Sequence, residues 1–180
     1  MRFCSECGSN RIVMEIPEGE TLLREVCRNC GKIYYTNPRV VAGCLPVSGA
    51  QVLICRRAIE PCLGKWNLPA GFLEANETAE EGAIRETLEE AHAKVEIIRL
   101  HCLYSITHVN LVYLIFLARL SDLHFKPGIE TSEVKLFKYE DIPWDEIGFT
   151  SSVFALKKYF ENKDKDSVTT FIGHHTLDFH

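Results

Sequence analysis

Four cysteines near the N-terminus constrain this chain more than any other feature. Cys4-x2-Cys7 and Cys27-x2-Cys30 are separated by nineteen residues, a spacing that suits four thiolates around one zinc ion. A glycine follows each pair (Gly8 and Gly31) and lets the turn beyond the second thiol take a positive φ. Residues 11–16 and 21–26 read as two short strands around the turn Pro17-Glu18-Gly19. A segment of about 35 residues cannot bury an adequate core, so bound metal would have to supply its folding energy. Paired redox dithiols are the other reading of these cysteines, but they give no reason for two matched turns. The spacing therefore predicts a metal-ordered unit over residues 1–36 and a larger domain over residues 37–180. Cys44, Cys55 and Cys62 are read as packed or incidental thiols.

The chain has 180 residues, of which 46% are hydrophobic and 25% charged, the balance of a water-soluble globular protein. It contains no apolar run long enough to span a bilayer. Met1-Arg2-Phe3-Cys4 begins no secretory signal, so a cytoplasmic location is expected, with no membrane partner. The net charge of −5 provides no global attraction for nucleic acid. Residues 1–38 carry five basic and five acidic side chains, which is not a phosphate-binding surface. The N-terminal unit is accordingly expected to be structural or to form a homodimer.

Beyond the junction, residues 39–47 and 51–57 read as a hairpin about Ser48-Gly49. Arg56 and Arg57 end that hairpin, where they can reach a phosphate or merely cap the strand. Residues 66–68, 95–105, 110–120 and 134–139 read as further strands, and 151–161 as a C-terminal helix. Residues 162–180 are expected to be a tail ordered by contacts, or alternatively a metal-binding tail through its histidines. This mixture defines an α+β domain.

Residues 71–93 hold the most chemistry. Thr78 and Glu81 form a capping-box start. Ile84, Leu88 and Ala91 then recur at helical spacing as an expected buried stripe. Glu86, Glu89 and Glu90 lie on the opposite side beside Ala79, Gly82 and Ala83. Such a face is either a solvated acidic surface or a seat for hard divalent cations, which prefer oxygen ligands.

The full spacing decides between them. Gly71, five residues, Glu77, seven residues, Arg85-Glu86, two residues, Glu89-Glu90 resembles the Nudix box, and Trp66-Asn67-Leu68-Pro69-Ala70 resembles its lead-in. Thr87, His92 and Ala93 depart from the usual pattern, which is aliphatic, glycine and aliphatic at these positions. The charged positions are all kept. The resemblance spans residues 37–161 and implies a Nudix α/β/α sandwich with the box as loop–helix–loop. With the cysteine pairs included, the chain resembles Nudix hydrolases that carry an N-terminal Cys4 zinc ribbon, among them enzymes acting on NADH, FAD or ADP-ribose.

The resemblance implies a pyrophosphohydrolase dependent on Mg2+ or Mn2+, with Zn2+ in the ribbon. It would cleave a nucleoside diphosphate derivative such as FAD, ADP-ribose or NADH to AMP plus the second phosphorylated half. Glu86, Glu89 and Glu90 would hold the metal with the Ala70 carbonyl, while Gly71, Glu77 and Arg85 would shape the box. The general base would be Glu86 or a later glutamate, Glu133 ahead of Glu130. The serine-glutamine-proline-tryptophan marker of NADH pyrophosphatases is absent from residues 104–113, and His108-Val109 stands where many ADP-ribose hydrolases have proline. Neither marker selects the substrate. Tyr34, Tyr35 and Phe72 are candidate stacking partners for adenine. The alternative is a non-catalytic Nudix sensor whose ribbon binds protein or nucleic acid, but such a sensor has no need of every box carboxylate.

Overall fold

The structure is a computed structural model that describes residues 1–163, 165 and 169–176. It divides into two compact units, residues 1–37 and 38–180. Among the described residues no helix is long and apolar enough to cross a membrane.

The first unit is a three-stranded antiparallel sheet of β1 (Ile12–Glu15), β2 (Arg24–Cys27) and β3 (Ile33–Tyr34). The turn between β1 and β2 is closed by the Glu20 N–H donating to the Pro17 carbonyl at 3.1 Å. Gly19 takes φ +82° there, which a side chain would disfavour. Only Cys4, Val26 and Cys27 are buried apolar residues in this unit. That is far too little to order the segment by hydrophobic burial alone.

The second unit is built on a mixed sheet ordered β10-β5-β4-β9-β8-β11. These strands are β4 (Arg39–Ser48), β5 (Gln51–Arg57), β8 (Val95–Ile106), β9 (Leu111–Leu120), β10 (Thr131–Phe137) and β11 (Phe171–His175). Two short strands, β6 (Trp66–Asn67) and β7 (Ala70–Phe72), pair with β5 and β4. The centre is parallel: Arg39 lies opposite Leu111 and Val47 opposite Arg119. Strand alternation divides the core. Ala42, Cys44, Leu53, Cys55, Phe116 and Ala118 face one layer, and Leu45, Val52, Ile54 and Ile115 the other. Helix α1 (Ala79–Ala91) covers the first face and α2 (Thr150–Asn162) the second. This is the expected helix–sheet–helix sandwich.

Two expectations are corrected. The buried side of α1 is Gly82, Ala83, Thr87, Glu90 and Ala91, whereas Ile84 and Leu88 are 37% and 47% exposed. The small residues let the helix lie close to β4, so close that the Cys44 thiol donates to the Ala83 carbonyl at 3.4 Å. Close approach outweighs the burial of two larger apolar side chains. Glu90 is thereby on the packed side and Glu86 partly so, while Glu89 stays exposed. The second correction concerns the tail: Phe171–His175 is a strand, β11, pairing in parallel with β8 so that His175 lies opposite Ile106. His180 lies outside the described residues.

Candidate active site and cysteine cluster

In the N-terminal unit the sulfurs of Cys4, Cys7, Cys27 and Cys30 all lie within 4.8 Å of one another. The Cys4–Cys30 and Cys7–Cys27 pairs are each 3.6 Å apart. Four thiolates at about 2.3 Å from zinc have tetrahedral edges of roughly 3.8 Å, so the donor set fits the ion. The turns that place them close through Gly8 N–H to the Cys4 carbonyl, 2.9 Å, and Gly31 N–H to the Cys27 carbonyl, 2.8 Å. Both glycines have positive φ, +69° and +76°. The Tyr34 hydroxyl donates to Cys4 Sγ at 3.0 Å, and this contact above all pulls the Cys4 thiol down to about 6.

The second unit holds a cavity of about 1340 Å³, larger than a typical single-ligand site. The box supplies one side of it. Thr78 caps α1: its Oγ1 accepts the Glu81 N–H at 3.2 Å, and the Glu81 carboxylate accepts the Thr78 N–H at 2.8 Å. Arg85 joins the loop to the helix, donating to both oxygens of Glu77 at 2.9 and 2.7 Å and to the Phe72 carbonyl at 3.1 Å. That bidentate contact holds the Glu77 carboxyl down at about 2. Gly71 is needed for space, because a Cβ there would lie 2.2 Å from the Glu86 carboxylate carbon.

Glu86, Glu89, Glu90, Ala70 and Gly71 all line the cavity. Glu90 is 7% exposed, and burial pushes its carboxyl up to about 8, against the opposing pull of Arg57. Glu86 is raised too, first by burial and partly restrained by its contact with Arg85. A buried acid beside a second one is chemically suited to a hard cation, whose charge would replace the lost hydration. The carboxylates are nevertheless not gathered on a point. Among the described residues the four thiols are the only set of three or more ligating side chains drawn that close together. Arg85 Nη1 instead reaches Glu86 at 2.6 Å and Glu89 at 3.4 Å.

Glu133 does not line this cavity, whereas Glu130 does. The Glu133 carboxylate pairs with Lys135, and with Arg56 at 3.6 Å. A bulge between Thr131 and Glu133 changes the register there, which periodicity does not reveal. Of the aromatic candidates Phe72 lines the cavity. Tyr34 and Tyr35 belong to the first unit, their hydroxyls donating to Cys4 and Glu20. Sequence reading passed over Arg39 and Tyr113 and weighed His175 only as part of a metal-binding tail; all three also line the cavity. They meet through the parallel β4–β9 and β8–β11 pairings and carry no local sequence signal.

Comparison with known proteins agrees with this geometry. The NUDIX domain family matches residues 37–156, and the Nudix N-terminal zinc-ribbon family matches residues 2–36. A Nudix hydrolase of known structure from Nitrosomonas europaea is 48% identical, covering 97% of this chain and 99% of its own, with a TM-score of 0.91. The NAD-capped RNA hydrolase NudC of Chromobacterium violaceum is 35% identical over 106 residues, 54% of this chain and 35% of that protein. The ADP-ribose pyrophosphatase of Methanocaldococcus jannaschii is 26% identical over 113 residues, 61% of this chain and 67% of that protein. Other curated relatives are matched over 14% and 47% of their own lengths. A family match over two thirds of the chain, a full-length structural relative and an intact box together place the chain in the Nudix hydrolase family, with the N-terminal zinc-ribbon unit of that family attached.

Proposed function

We propose that the protein is a divalent-cation-dependent pyrophosphohydrolase of a dinucleotide-type diphosphate such as FAD, ADP-ribose or NADH, releasing AMP and the second phosphorylated half. The observation that carries this reading is Glu90, a carboxylate buried against Glu86 on the wall of a large cavity. A solvated acidic face has no reason to bury its acid. The relatives described as an ADP-ribose pyrophosphatase and as NAD-capped RNA hydrolases support a substrate in which AMP is joined through a diphosphate to a second phosphorylated half.

Glu86, Glu89 and Glu90 would hold Mg2+ or Mn2+ with the Ala70 carbonyl. The chemistry supplied there by a bound cation is neutralisation of the diphosphate oxygens and activation of water for attack. The chain's own residues do the rest. Arg57, which faces Glu90 electrostatically and lines the cavity, would orient a diphosphate oxygen. Glu77 and Arg85 would hold the loop so that Glu86 keeps its place against Gly71. Glu130 on the later loop would accept the proton from the attacking water, a role for which Glu133 is badly placed. Zn2+ on Cys4, Cys7, Cys27 and Cys30 would be structural, since thiolates favour it over the hard cation required at the box.

The test is product release, measured with added phosphatase, across FAD, ADP-ribose, NADH, diadenosine polyphosphates and nucleoside triphosphates at equal Mg2+. A dinucleotide should be the best substrate, and Glu89→Gln should lower its kcat by orders of magnitude with folding intact. Triphosphates turning over tenfold faster than every dinucleotide would overturn the substrate class.

A further inference from the structure

The wall of the cavity formed by β8, β9 and β11 differs chemically from the box side. Among the described residues six carboxylates line the cavity: Glu60, Glu74, Glu86, Glu89, Glu90 and Glu130. All belong to α1 or to the loops after β5, after β7 and before β10. None comes from β8, β9, β11 or the turn between β8 and β9. What lines that wall instead is apolar surface from Ile106, Val109 and Leu111 together with His108 and His175.

The two imidazoles meet edge to face, centroids 5.5 Å apart and planes at 71°. Two separate pieces of chain are needed to bring them there. His108 sits in the 3-10 turn Thr107–Val109. His175 comes from β11, beyond the residues that match the Nudix domain family, and alternation leaves His174 exposed on the other side. Arg39 joins the same end of the sheet. Its N–H donates to the Asn110 carbonyl at 2.9 Å, and its guanidinium lies over Phe72 at 4.6 Å. Among the described residues no carboxylate pairs with it.

We propose that His108 and His175 form an anion site for a phosphate carried on the substrate away from the bond that is cleaved, with Arg39 lining the cavity between them and the box. This rests on the hydrolase reading and narrows its substrate class to diphosphates bearing an additional ribose phosphate. The chemistry is direct. Each imidazole has an N–H donor in either protonation state. A stacked guanidinium without an acidic partner keeps its donors for an oxyanion. His175 on β11 and His108 in the β8–β9 turn are set apart from the Gly71–Glu86 contact by β4 and β9, whereas Arg39, on β4 over Phe72, stands between them and the box. The same phosphate chemistry occurs as a monoester on a free nucleotide and as the first phosphodiester of a nucleotide-capped RNA.

Matched pairs test the site: NADPH against NADH, coenzyme A against its 3′-dephospho form, and an NAD-capped oligoribonucleotide against NADH. Wild-type protein should prefer the phosphate-bearing member of at least one pair by about tenfold in kcat/KM. Preference confined to the free nucleotides assigns a monoester, and preference confined to the oligonucleotide assigns a capped RNA. His108→Ala and His175→Ala should each reduce that ratio severalfold, with His175→Gln retaining more of it. Melting temperatures separate this loss from disruption of β11. Calorimetric titration of adenosine 2′,5′- and 3′,5′-bisphosphate against AMP reads the site without catalysis. If no pair is cleaved but bisphosphates bind more tightly in a histidine-dependent way, the hydrolase reading falls and the anion site stands. Equal use of every pair and equal binding of mono- and bisphosphates would overturn the site, as would a preference that both histidine variants retain.

Discussion

Replacing Gly71 by alanine separates what the box does for folding from what it does for chemistry. The new Cβ would lie 2.2 Å from the Glu86 carboxylate carbon and 2.3 and 2.4 Å from its two oxygens. Ordinary carbon–carbon contact begins at about 3.5 Å, so the carboxylate must withdraw by about 1.3 Å. The obstacle is the end of a flexible side chain, not backbone, and no unusual φ is needed at Gly71. The stability cost should therefore stay below about 1 kcal/mol. A ligand displaced by that distance from its reacting partners costs about 100-fold in rate. We expect Gly71→Ala to melt within a few degrees of wild type and to lose about two orders of magnitude in kcat on the best dinucleotide at saturating Mg2+. Because the loss runs through Glu86, combining it with Glu86→Gln should add little to the effect of Glu86→Gln alone. Wild-type kcat in Gly71→Ala, or full additivity in the double variant, would refute the argument that this glycine exists to seat Glu86.

Three further outcomes are expected. Elemental analysis after dialysis should find about one zinc per chain, and Cys27→Ser should abolish both the zinc and the ordered structure of residues 1–37, read by amide exchange. Glu130→Gln should lower kcat by about 100-fold while Glu133→Gln changes it less than about threefold; the reverse ranking would return the base to β10. His101 is fully buried with a ring nitrogen 2.9 Å from the Ala155 carbonyl, and burial lowers its pKa below the ordinary histidine value. The unfolded chain then binds more protons than the folded one as pH falls through about 6.5, so acid destabilises the fold. Wild-type melting temperature should drop between pH 7.5 and pH 5.5 more steeply than that of His101→Gln, and parallel curves would exclude His101 as the cause.

The parts legible from sequence were those fixed by covalent spacing. The cysteine turns, the Thr78–Glu81 cap and the box helix close over four residues or fewer, and glycine, threonine and glutamate at those separations have few other uses. Glu77 and Arg85 were paired only through the family resemblance, since seven residues of loop and helix lie between them. The face of α1 was misread because periodicity weighs Ile84 and Leu88 by hydrophobicity, whereas the sheet selects by how near the helix axis can come. Glu133 lies off the cavity for a related reason: one bulged residue near the start of β10 exchanges inside for outside, and nothing in Thr131-Ser132-Glu133 announces it.

The cavity acquires its chemistry from two kinds of segment. Among the described residues the acids on its wall come from α1 and from the loops after β5, after β7 and before β10, and those of residues 71–90 are set by spacing within one short stretch. Arg39, Tyr113, His108 and His175 come from strand ends and one turn, and their neighbourhood depends on two parallel pairings between distant segments. Parallel pairing fixes register through the whole sheet, so these side chains can change identity without disturbing the box. On the proposed reading the box would supply a reaction common to many substrates, and the β8–β9–β11 wall would be where one substrate is told from another. Substitutions on that wall should accordingly alter the order of substrates, while substitutions in residues 71–90 should lower all of them together. A variant at His108 or His175 that depressed every substrate by the same factor would contradict this division of labour.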